Sequence, residues 1–175
     1  MSQLQRPQES EYVEYYQTYT SRVPDGDILK ILEDQAAGTV QMLGGMSEEE
    51  AERPLGEGKW CPKQVLCHLI DSERMFAYRA LSFARQDPTA LPSFDQDAWV
   101  AHSNAMERSW ESLIEEFLAA RRSHLALFRS FPDEAWTRTG TASGYSFTVR
   151  AFPYIVAGHE LHHREGLGKA LAASG

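Results

Sequence analysis

Apolar positions recur every three or four residues over long stretches of this chain, and that period predicts helices. Between Asp27 and Leu43 they fall at Ile28, Leu29, Leu32, Val40 and Leu43, and Gly44-Gly45 closes the segment. Ser47 followed by Glu50 is a capping box, opening a short helix that ends at Pro54. From Pro62 to Arg85, Val65, Leu66, Leu69, Phe76, Ala80 and Phe83 share one face, and proline suits the first helical position. Trp110, Leu113, Phe117 and Phe128 line a third long helix, which starts near Ala98 or Met106 and stops at Ser130 before Phe131-Pro132. A fourth runs from about Thr148 to Ala172, where Pro153 implies a kink or a later start. The stretch Asp87–Asp95 reads as an irregular connection and Thr139–Tyr145 as a loop. No segment alternates in the manner of a strand. The pattern predicts an all-α protein: a four-helix bundle with one short extra helix.

Residues 1–24 read as an N-terminal extension and 25–175 as a single bundle domain. The extension carries Tyr12, Tyr15, Tyr16 and Tyr19. Rings packed on the body are the first reading; a cover over a pocket or a dimer surface is the second. A net charge of -8 disfavours nucleic acid and anionic membranes as partners. Cys61 and Cys67 would lie about 9 Å apart along one helix, too far for a disulfide. Two unpaired thiols fit a reducing compartment, the polar start MSQLQRPQESE has no apolar signal region, and no apolar run reaches the roughly 20 residues of a membrane helix. The expectation is a cytoplasmic protein.

The candidate chemistry lies in the last helix. Projected at about 100° per residue, Phe152, Ile155, Val156, His159, His163, Leu167 and Ala170 fall on one face. Two imidazoles one turn apart in an apolar stripe reach the same point, which is the spacing of a metal-ligand pair. His159-Glu160-Leu161-His162-His163 also spells H-E-x-x-H, the zinc-protease signature. The longer protease pattern wants a third histidine where Lys169 stands, and an ammonium is no ligand. The chain also lacks a strand on which to lay a peptide. The protease match therefore reads as coincidence. His162 falls to the flank of the stripe and outside the ligand set. The third ligand must come from upstream, and geometry alone leaves His68, His102 and His124 open, His102 being the weakest.

Four blocks, "RPQESEYVEYYQTYTSRVPDGDIL", "GKWCPKQVLCHLIDSERMFAYRAL", "FDQDAWV" and "TVRAFPYIVAGHELHHREGL", together resemble the DinB/YfiT-like superfamily of metal-binding four-helix bundles. The resemblance covers nearly the whole chain. It implies a divalent metal, zinc or nickel, held by His68 of the H-L-x-D-x-E-R block and by the His159–His163 pair. Cys61 stands where relatives commonly have a Ser or Thr helix cap. The resemblance further implies a homodimer, and a fold shared with transferases and isomerases that use low-molecular-weight thiols.

Three neutral imidazoles leave an ion with open positions for water or a thiolate. Glu160 and Glu73 are candidate bases. Their structural alternatives are a solvated or salt-bridged side chain for Glu160, and for Glu73 a carboxylate holding a ligand imidazole. Arg79 reads as an intrabundle salt bridge before it reads as a substrate anchor. The expected function is a metal-dependent enzyme on a small molecule, a thiol S-transferase or a hydrolase. The other class is a non-catalytic metal-binding or stress-related protein.

Overall fold

The computed structural model describes the backbone of residues 4–174 and the side chains of residues 4–169, so the first three residues of the extension and the side chain of Ala170, expected on the apolar stripe, lie outside what is described. Four long helices dominate: α2 (Ile28–Leu43), α4 (Pro62–Ala84), α6 (Trp110–Arg129) and α7 (Ala151–Ser174). Shorter helices are α1 (Gln17–Thr20), α3 (Glu48–Glu52) and α5 (Gln96–His102). Each of α2 and α4 packs against both α6 and α7, so successive long helices α2 and α4 face each other across the diagonal. The connection through α3 provides the length that such a diagonal step requires, since short loops would make neighbours of them. No helix of the described residues is long and apolar enough to cross a membrane.

The caps follow the local sequence. The Asp27 carboxylate accepts from the backbone N–H of Leu29 and Lys30 at the start of α2, and Ser47 and Glu50 form the reciprocal box of α3. Cys61 does precede α4, and the Gln64 side chain accepts its N–H at 3.0 Å. What the sequence reads as one third helix is two elements, α5 and α6, each opened by its own cap, Asp95 and Ser109. The last helix takes the later of the two expected starts: it begins at Ala151, so Pro153 lies in the first turn, where its missing N–H costs nothing.

One element departs from the sequence reading. Thr139–Ala142 (β1) and Tyr145–Thr148 (β2) form an antiparallel hairpin. Ser143 and Gly144 both have positive φ, 55° and 82°, as a two-residue hairpin turn requires. Four-residue strands are too short for alternation to show. Gly140 in β1 lies against the Phe83 ring with no room for a Cβ, which locks the hairpin onto α4.

The core is two apolar clusters. One gathers Phe76, Phe83, Phe128, Phe147 and Phe152 at the hairpin end. The other gathers Leu66, Leu69, Trp110, Leu113 and Phe117 at the opposite end. Between them all four long helices contribute buried polar side chains: Gln35 and Thr39 from α2, His68 and Glu73 from α4, Arg121 from α6, His159 and Glu160 from α7.

The N-terminal segment straps this layer. Glu11 ties it to the hairpin and to the turn that leads into α7, accepting from Thr148 Oγ1 at 2.8 Å and Arg150 Nε at 2.7 Å. Tyr12 is buried, Tyr16 packs on Phe76 and Phe147, and Tyr15 is exposed. α1 lies on α7 so closely that a Cβ on Gly158 would collide with the Tyr19 carbonyl. Gly158→Ala gains about 1 kcal/mol of helix propensity, yet overpacking against backbone costs about 1–3 kcal/mol. A net loss of stability is expected in urea unfolding; a gain would mean that the strap yields freely.

Candidate metal centre

His159 and His163 sit one turn apart on α7 and point across the bundle at His68 of α4. His68 Nε2 is 3.0 Å from His159 Nε2, and His163 Nε2 is 3.1 Å from the same atom. Ligands at about 2.0–2.1 Å from one ion, subtending tetrahedral to octahedral angles, stand about 2.8–3.4 Å apart. The two edges that meet at His159 Nε2 thus have the spacing of neighbouring ligands in a coordination shell, and among the described residues these three histidines form a cluster suited to an ion, with their ligand atoms within 4.8 Å of one another. The donor set fits a divalent transition-metal ion, which imidazole suits.

Burial keeps the rings neutral and their lone pairs available. It pushes His68 down to about 4 and, with the neighbouring His68 and His162 adding to it, His163 down to about 3. His159, enclosed by the other histidines, is held well below the usual range, again mainly by burial. Ser72 Oγ stands 3.4 Å from His68 Nδ1, one turn along α4, within reach to accept that nitrogen's proton in the tautomer that leaves Nε2 bare. Aromatic rings wall the cluster: Trp60 at 5.0 Å from His68, Tyr19 at 5.2 Å and Phe76 at 6.2 Å from His159. A cleft of about 530 Å³, lined by Leu55, Lys59, Trp60, Asp97, His162 and His163 among others, opens the cluster to one side.

The other candidates are placed apart. His102 is exposed and its Nδ1 pairs with the Ala98 carbonyl. His124 lies on α6 with Nδ1 3.2 Å from Glu73. His162 is exposed, edge-on to Tyr19 at 5.4 Å, and lines the cleft rather than the cluster. Tyr19 packs edge-on against His159 and His162, while Tyr12 and Tyr16 pack on the body as the first reading of the tyrosines expected.

Glu73 does not hold a ligand imidazole, and here the expectation is corrected. Its carboxylate receives Arg121 Nε at 2.6 Å and Nη2 at 2.9 Å. Glu160 takes the salt-bridged reading: Arg121 Nη2 reaches it at 2.9 Å, and Thr39 donates to its other oxygen. So the glutamate of H-E-x-x-H is committed to the bundle interior. The sequence reading missed Arg121, although its place between Phe117 and Leu125 in an apolar stripe marks a buried charge. It also missed Trp60 as a wall of the site.

Arg79 is the second correction. It forms no salt bridge with a described residue; its Nη2 donates to the Pro92 carbonyl at 2.8 Å and to Ser143 Oγ at 3.0 Å.

The sequence profile of the DinB superfamily matches residues 31–167, and the chain belongs to that superfamily. A candidate metal-dependent hydrolase of Oceanobacillus iheyensis is 29% identical over 72 residues, 41% of this chain and 41% of that protein. Among solved structures, YfiT of Bacillus subtilis, described as a probable metal-dependent hydrolase with an unusual four-helix bundle topology, superposes with a TM-score of 0.78. That alignment is 19% identical and covers 97% of this chain and 93% of YfiT. A mycothiol-dependent maleylpyruvate isomerase gives 0.70 at 14% identity, over 85% of this chain and 62% of its own. The four-helix bundle is thus shared with both.

Proposed function

We propose that His68, His159 and His163 hold one divalent ion, and that the protein is a metal-dependent enzyme acting on a small molecule, as a hydrolase first. The convergence of three neutral Nε2 atoms beside an open cleft carries this reading. The candidate hydrolase among the relatives supports it. When bound, the ion would supply Lewis acidity at positions that three ligands leave open. The chain does the rest. Ser72 orients His68, the i, i+4 spacing aligns the other two rings, and Tyr19 closes the strap side against water. Trp60 offers an aromatic face to whatever enters the cleft, with Lys59 and Asp97 as polar walls. A substrate of modest size, part apolar and part polar, fits that lining.

A second reading is thiol transfer: the fold is also that of a mycothiol-dependent isomerase, and the same ion and cleft would serve a thiolate. One experiment separates the readings. Protein loaded with zinc or nickel is assayed against a panel of activated esters and amides, and against electrophiles with and without low-mass thiols. Turnover without thiol, lost on chelation and restored by metal, is the expected result. Turnover only with thiol would move the assignment to a transferase. Metal bound tightly with no turnover of either kind would leave a binding protein.

A further inference from the structure

Three of the largest fully buried side chains are cations: Arg79, Arg121 and Lys63. Two of them are matched by carboxylates. Arg121 has Glu73 and Glu160, and Lys63 has Glu48 and Glu52. Arg79 is 1% exposed, and among the described residues it has no carboxylate within salt-bridge distance and its Nε has no hydrogen-bond partner. Burying a charge without a counter-charge is among the costliest arrangements a fold can hold.

The surroundings are rich in donors. Ser143 Oγ accepts from Arg79 Nη2, which leaves its own hydrogen to give. The Tyr16 phenol also faces the guanidinium, and burial pushes that phenol up, so it stays a proton donor. Each donor is fixed by its own support. Tyr16 is wedged edge-on between Phe76 and Phe147, with centroids 5.9 and 5.7 Å away. Ser143 is held at positive φ, and its backbone N–H donates to the Leu91 carbonyl at 2.9 Å. The place is close to the surface: Pro92 is exposed, and Tyr16 and Ser143 are half-buried.

We propose that Arg79, Tyr16 and Ser143 form a binding site for a small oxyanion, a carboxylate or a phosphate group, separate from the histidine cluster. Arg79 lies eleven residues beyond His68 on α4, roughly 16 Å along the helix, so the inference does not rest on the metal reading. A guanidinium with an unused Nε and two hydroxyl donors around it matches the acceptors of such a group. Because the site joins the strap, α4 and the hairpin turn, its ligand stabilises the folded chain by mass action.

The test uses the full chain in chloride buffer at fixed ionic strength, titrated separately with sodium acetate and sodium phosphate while thermal unfolding and calorimetry are followed. A saturable rise in Tm with at least one of them is expected, and which one responds assigns the ligand as planar or tetrahedral. Arg79→Met should abolish the response. Tyr16→Phe and Ser143→Ala, which remove a donor and keep the buried cation, should each weaken binding several-fold. His159→Ala should leave it intact. If neither anion exceeds chloride, or if the response survives Arg79→Met, the proposal is overturned. It is overturned equally if the response disappears in His159→Ala, which would place the anion on the histidines. Should Arg79→Met fail to fold, the two hydroxyl variants decide: unchanged affinity in both rejects the site.

Discussion

His159→Ala is expected to strip the divalent ion from the protein. His159 Nε2 is the atom both other imidazoles approach, at 3.0 and 3.1 Å, so its loss removes the ligand shared by both close pairs. The remaining two rings leave an ion mostly to water. Removing even an outer partner of a metal ligand lowers affinity about 10–100-fold, so losing a ligand should cost at least about 100-fold. His68→Ala and His163→Ala should behave alike. Ser72→Ala should sit between them and the wild type, because it frees the His68 ring without deleting it. His162→Ala and His124→Ala should keep the ion: one is exposed on the cleft, the other sits by Glu73. Elemental analysis after dialysis against a mild chelator, with competition titrations for affinity, reads the series. Metal retained in all three cluster variants would sink the reading. Metal lost in His124→Ala but kept in His68→Ala would move the third ligand.

Much of this was legible in the sequence, and the part that was not has a physical cause. The His159–His163 pair could be read because both rings lie on one helix, where spacing fixes direction. The partner from α4 could not, because the way one helix faces another is set by packing, and only the family resemblance singled out His68. The long helices announced themselves through period and caps. The hairpin did not: its strands are four residues each, and its register is held by the Ser143-Gly144 turn and by Phe83 against Gly140. Glu73 was read as a carboxylate that holds a ligand imidazole, so its partner was assigned wrongly. The arginine that answers it lies on α6, and sequence distance hides that pairing. Arg79 misled for the opposite reason: a buried arginine is expected to find an acid, and here it finds a carbonyl and a hydroxyl.

Arg121→Met is expected to be the most destabilising single change in the polar layer. Arg121 is 2% exposed and bonds Glu73 through two nitrogens and Glu160 through one, while Nη1 donates to the Leu32 carbonyl at 2.8 Å. Burial opposes its charge, but Glu73 and Glu160 more than offset that and raise its affinity for the proton. Its removal leaves two carboxylates facing each other in the interior, a change that costs about 3–5 kcal/mol when one side of a buried ion pair is deleted. Neutralising one acid should cost less, because it brings the layer from two negative charges against Arg121 to one. Glu160→Gln should be the mildest, since Glu160 takes a single bond from Arg121 and keeps a place for Thr39. Glu73→Gln should cost more, because the paired contact is lost. The pH dependence has a definite sign. Burial pushes the Glu73 carboxyl up, yet Arg121 and His124 together hold it below its ordinary 4.5. A depressed carboxylate contributes stability that is fully present above pH 4.5 and lost as pH falls through the lower folded value. Urea unfolding from pH 7 to pH 3 should therefore show an acid loss in the wild type that is shallower in Glu73→Gln. Replacing the whole set by Arg121→Met, Glu73→Leu and Glu160→Leu should recover much of what Arg121→Met alone loses, since apolar packing can match a buried ion network. A cost below about 1 kcal/mol for Arg121→Met, the range of an exposed ion pair, would show that the two carboxylates reach water or a proton some other way. The arginine would then not be what holds the layer together.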